Sequence, residues 1–169
     1  MDLNKKTLKS YYTVYAIIAS IAYLVPTIYF LLGDGNRNIW LTYLGNFLFF
    51  ISIVISIASF NSQANRYASL KSLFFTGLRT TIIAVIFSAI VIFVLAAIKY
   101  GYFETKTSDI ELATQSATDN SLMYRHEQAG VMMIINAVIV NFLMGALGSL
   151  IGSSVTKRNQ TTEKGRELV

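Results

Sequence analysis

The sequence predicts an all-α polytopic membrane protein, an antiparallel bundle of four transmembrane helices with both termini in the cytoplasm. Three observations carry that reading. At 169 residues the chain is 54% hydrophobic and 14% charged, with a mean hydropathy of +0.52, too apolar and too sparsely charged for an ordinary soluble domain. Four apolar runs, about 11–32, 39–60, 78–98 and 131–153, reach the roughly 20 residues that a hydrocarbon core of about 30 Å demands of a helix. The charges are also unevenly placed. Lys5, Lys6, Lys9, Arg66, Lys71, Arg79, Lys157, Arg158, Lys164 and Arg166 fall on one side, whereas Arg37, Lys99, Lys106 and Arg125 fall on the other together with most of the acids. The positive-inside rule assigns the first side to the cytoplasm. Topology and contact with anionic lipid headgroups then account for the net charge of +5, and nucleic acid is not needed as a partner.

Taken in order, the first run follows three lysines as a signal peptide would, but its apolar stretch outlasts a typical signal core and is expected to be an uncleaved anchor. Pro26 removes one hydrogen bond within that helix and is expected to bend it. The sequence "GDGNRN" at 33–38 offers Gly33, Gly35 and Asn36 for a tight turn, which makes the first two helices antiparallel neighbours. Tyr11, Tyr12, Tyr15, Tyr29, Trp40, Tyr43, Tyr67, Tyr100 and Tyr102 cluster near the predicted span ends and read as interfacial belts.

Between the second and third spans, Leu70, Leu73, Phe74, Gly77 and Leu78 recur at helical spacing. This predicts a short interfacial helix over about 66–77, with Arg66, Lys71 and Arg79 directed at lipid headgroups and Lys157 and Arg158 doing the same after the fourth span. The outer segment, about 99–130, contains a capping box from Ser108 to Glu111 and is too short to enclose a pocket of its own. The whole chain, 1–169, therefore reads as one four-helix transmembrane domain.

The interiors of the four spans contain no Lys, Arg, Asp, Glu or His. A proton relay, a voltage sensor or an intramembrane hydrolase would need one, and Ser20, Ser88 and Ser149 lack a base to activate them. There is no cysteine, so thiolate chemistry and disulfides are excluded. His126, alone among scattered carboxylates, makes a poor metal ligand set. No enzyme activity, cofactor or metal is expected.

The spans are instead rich in small and amide residues. In the fourth, Ala137, Asn141, Gly145 and Ser149 recur every four residues, and Gly148 and Gly152 form a G-x-x-x-G on the neighbouring stripe. In the second, Gly45, Ser52 and Ser56 form a matching strip, expected to be the counterpart of the fourth. Such faces suit packing inside the bundle or contact with a second membrane protein, and sequence leaves both open. Asn46 and Asn136 fall near the same leaflet and could hydrogen-bond across helices. Alternatively Asn46, Asn136 and Asn141 line a polar path. The function these features fit best is a structural or accessory subunit of a membrane assembly, either a homo-oligomer or a larger complex. A small oligomeric transporter or channel is the alternative, and a sensor of membrane state built on the basic segment around Lys71 is a third class.

With these residues in view, the chain resembles the bacterial inner-membrane domain-of-unknown-function family 4199, small four-helix proteins. The likeness rests on a lysine-bearing start leading into "YYTVYAIIASIAYLV" (11–25), a short first turn, and "YASLKSLFFTGLRTTIIAVIF" (67–87), in which Ser69, Lys71, Phe74, Phe75 and Gly77 match the family's approach to span three. A polar outer segment, a glycine-bearing fourth span and a basic tail complete it. The resemblance implies a location in the bacterial inner membrane and carries over no catalytic residues.

Overall fold

The computed structural model describes residues 5–32, 39–64, 68–99 and 131–167, with side chains placed over 11–32, 39–64, 68–99 and 131–160. The turn at 33–38, Arg66, the outer segment beyond Lys99 with its capping box, and His126 lie outside the described residues. Among the described residues there are four helices: α1 (Lys5–Leu32), α2 (Trp40–Gln63), α3 (Leu70–Lys99) and α4 (Asn141–Glu167), the last continuing a π-helical turn at Asn136–Val140. Among the described residues there are no strands. The candidate spans are Tyr11–Leu32, Trp40–Gln63, Leu70–Lys99 and Val131–Gln160, with mean hydropathies of 2.0, 2.0, 3.0 and 2.1, each long and apolar enough to cross a membrane.

The helices run up, down, up and down. At one end the start of α1 meets the end of α2, where the Tyr15 hydroxyl donates to Ser59 Oγ at 2.6 Å. Gln160 of α4 there donates to Asn61 of α2 and to the Ala68 carbonyl just before α3. At the other end Lys99 donates to the Leu31 carbonyl, placing a cation on the negative end of the α1 dipole. Around the bundle α1 packs on α2 and α3, and α4 packs on α2 and α3. The α2–α3 contact forms the short diagonal, so α1 and α4 face each other across it.

Residues 70–77, expected in an interfacial helix leading into the third span, are the first two turns of α3. Their apolar stripe continues the period of the span without a break, and Ser69 starts the helix by accepting the Ser72 N–H at 3.2 Å. The drop in hydropathy there marks a change in depth, not the end of a helix. α1 likewise runs on through the buried Pro26.

Outward faces are apolar along the spans, with Ile21, Phe47, Ile86 and Leu147 among the exposed side chains. Polar groups turn inward instead. Most interior hydroxyls are satisfied by their own helix one turn back: Ser20 on Ala16, Thr27 on Tyr23, Thr80 on Thr76, Thr81 on Gly77 and Ser149 on Gly145. In lipid this matters because a lone polar group has no water to turn to.

Candidate functional site

The small residues of α4 divide between two neighbours. A methyl group built on Gly145 would overlap Thr81 of α3, with Thr81 Oγ1 only 2.5 Å away, and one on Gly77 of α3 would lie 2.5 Å from Ser149 Oγ. Gly148 faces Phe50 and Ile53 of α2 at 3.3–3.5 Å, and Gly152 faces Ile57 and Val54 at 3.0–3.6 Å. Both glycine-bearing stripes of α4 are thus occupied by the chain's own helices. Asn141, Gly145, Gly148, Ser149 and Gly152 are all buried, which leaves this face unavailable to a partner.

The expected counterpart on α2 is a correction. Gly45, Ser52 and Ser56 do share a stripe, being within about 40° of one another on a helix of 3.6 residues per turn, but that stripe is turned towards α1. Gly45 abuts the Tyr23 carbonyl at 3.0 Å and Thr27 Oγ1 at 3.2 Å. The Ser56 carbonyl accepts the Tyr11 hydroxyl at 2.5 Å, and the half-buried Ser52 bonds to its own Leu48 carbonyl at 2.8 Å. The side of α2 that meets α4 carries Phe50, Ile53, Val54 and Ile57. Tyr11 and Tyr15, expected in an interfacial belt, point inward onto α2, whereas Tyr29, Trp40 and Tyr43 are exposed as belt residues.

A cluster of amides and a phenol lies in the bundle towards the Leu32 end. Asn46 Nδ2 donates to Asn136 Oδ1 at 3.1 Å, and Asn136 Nδ2 lies 3.4 Å from Asn46 Oδ1 and 3.2 Å from the Tyr23 hydroxyl. This network joins α1, α2 and the turn leading into α4. The side chains of Thr27 and Asn141 also face the Tyr23 hydroxyl. Asn46 is 5% exposed, while Tyr23 and Asn141 are fully buried. Asn136 itself is half-buried.

The π-helical turn sets the aim of Asn141. Its main-chain N–H bonds to the Asn136 carbonyl, five residues back. Ala137 O, the carbonyl that an unbroken α-helix would have given that N–H, receives the Asn141 side-chain Nδ2 instead, at 3.3 Å. With its nitrogen fixed there, the amide oxygen is left buried and without a hydrogen-bond partner; Ser56 Oγ and Ser88 Oγ share that condition. These are acceptors and hydroxyls in a neutral setting, suited to hydrogen bonding and not to proton abstraction.

Of the residues expected at headgroups, Lys71, Arg79 and Arg158 are exposed. The Arg79 guanidinium lies 5.7 Å from the centroid of the Tyr12 ring. Lys157 is half-buried and turned to the Ala68 carbonyl and Gln160, so it ties the α2–α3 connection to α4. Sequence reasoning missed Tyr23, Thr81 and the pairing role of Gly77. The signal for Tyr23 was its depth, since a tyrosine well inside an apolar run cannot belong to a belt. Thr81 left no such mark.

A family model described as "Protein of unknown function (DUF4199)" matches residues 11–158. No curated protein and no solved structure matches the chain.

Proposed function

The chain belongs to the DUF4199 family of proteins of unknown function, and from that premise and its own geometry we propose that it is an accessory component of a membrane assembly. Its setting in this reading is the bacterial inner membrane, with both termini in the cytoplasm and Lys71, Arg79 and Arg158 against anionic headgroups. The observation that carries the proposal is the self-sufficiency of the bundle. Its glycine faces are filled by its own helices and its amides pair with one another. Apolar side chains are what it offers to its surroundings at span depth.

Among the described residues such a unit needs no second copy to fill its glycine faces. A partner would meet it on the apolar outer surface or at the basic end. The test is to extract the protein in native lipid and measure the mass of the intact particle. A heteromer of fixed stoichiometry supports the proposal, and a lone chain or a pure homo-oligomer that carries solute flux in vesicles overturns it.

A further inference from the structure

Two of the unpaired interior oxygens lie at the same level of the bundle, and each is unpaired for a definable reason. Ser88 would by default bond to the carbonyl one turn back, as Thr80, Thr81 and Ser149 do, but its Ala84 carbonyl is approached at 3.1 Å by the Ser20 hydroxyl of α1, which shares its one proton between Ala84 O and Ala16 O. Asn141 has committed its nitrogen to Ala137 O, which turns Oδ1 away from its own helix. The register brings the two together. Thr81 backs onto Gly145, and from that contact Ser88 lies ~10 Å along α3 while Asn141 lies ~6 Å back along the antiparallel α4, a separation of less than one helical turn.

Tyr23 of α1 completes the group. It sits about one turn beyond Ser20, and its hydroxyl accepts from Asn136. The phenol keeps its own proton to give. A fully buried amide oxygen beside a fully buried serine hydroxyl, both without protein partners, is costly in a medium of low dielectric. A single small molecule that both donates and accepts resolves all three groups.

We infer that a water molecule is held inside the bundle between Asn141 Oδ1, Ser88 Oγ and the Tyr23 hydroxyl. It donates to the amide oxygen, accepts from the phenol and exchanges a hydrogen bond with the serine, which gives it the three partners usual for a buried water. Among the described residues the site has no ionisable side chain other than the phenol. It therefore suits a neutral occupant of water size and not a divalent cation. The π-helical turn contributes by shifting the Asn141 main-chain N–H to Asn136 O, which leaves Ala137 O to the Asn141 side-chain nitrogen. The inference does not depend on the accessory role and would hold in a transporter equally.

The experiment is water-edited solid-state NMR of the full chain in lipid bilayers, with asparagine and phenylalanine side chains labelled. Magnetisation passing from water to the Asn141 amide far faster than to the buried ring of Phe49, and approaching the rate for the exposed Asn159, is the expected result. Transfer to Asn141 no faster than to Phe49 would overturn the inference. The variant Ser88→Val fills the space with methyl groups and leaves Asn141 in place. It should reduce the transfer several-fold, and an unchanged transfer would show that no water lies between the two. Should that variant fail to fold, Ser88→Thr keeps the hydroxyl while crowding the water, and the same reduction is expected.

Discussion

Gly145 backs onto Thr81 with no room between them for a methyl group. That single contact sets how closely α3 and α4 approach, and it is made from α4 by a residue with no side chain and from α3 by one whose hydroxyl is already bonded to Gly77 O at 2.9 Å. Gly145→Ala should therefore destabilise the bundle by about 1–3 kcal/mol, the usual range for overpacking. The double variant Gly145→Ala with Thr81→Ala should recover much of the loss, because it removes the atoms in the way. Unfolding titrations in mild detergent check both. A single variant as stable as the parent would mean that the helices are free to separate at this level.

Gly148 is less tightly held, since a methyl there would meet Phe50 at 3.3 Å, where an aromatic ring has some freedom to shift. Gly148→Ala is expected to cost less than Gly145→Ala, and Gly148→Leu to cost clearly more than either. The position faces α2 of the same chain, so Gly148→Leu should lower the stability of the isolated chain and leave its association state unchanged. Sedimentation beside thermal unfolding separates the two effects. Loss of a partner at unchanged stability would contradict this placement.

The chain contains no cysteine, so its topology can be read by single-cysteine labelling without a background. Ser62 is exposed at the end of α2, and Leu32, 75% exposed, ends α1 at the opposite end of the bundle. With both termini cytoplasmic, Leu32→Cys should react with an impermeant maleimide added to intact spheroplasts. Ser62→Cys should react only after lysis. The reverse pattern would invert the charge-based orientation.

The number of spans and the grouping of small and polar residues on shared stripes could be read from sequence because both are properties of a single helix. Length decides whether a run can cross, and spacing decides which residues share a stripe. The azimuth of a stripe relative to its neighbours is not such a property. Gly45, Ser52 and Ser56 do form one face, yet nothing local says that it meets α1 and not α4. The π-helical turn was hidden for a similar reason. Its one trace in the sequence is the five-residue interval between Asn136 and Asn141, the hydrogen-bond spacing of that wider turn. The interfacial segment leading into the third span joins it without a break because hydropathy falls with depth while the helical period runs on through Leu70, Leu73 and Gly77.

Asn46 and Asn136 offer the sharpest energetic test, because their pairing crosses from α2 to the start of the fourth span where lipid supplies no competing partner. Each amide gives and accepts within the pair, at 3.1 and 3.4 Å, and Asn136 also serves Tyr23. Replacing either with leucine strands polar groups of the other and should destabilise the bundle. Replacing both strands only the phenol. The double variant should therefore be less destabilised than the sum of the singles, with a coupling of about 1 kcal/mol, the scale measured for hydrogen bonds between membrane helices. Strict additivity in a double-mutant cycle would mean that the two amides do not act as a unit. Adding Tyr23→Phe extends the logic: it removes the third member, so Asn136→Leu should cost less in that background than in the parent.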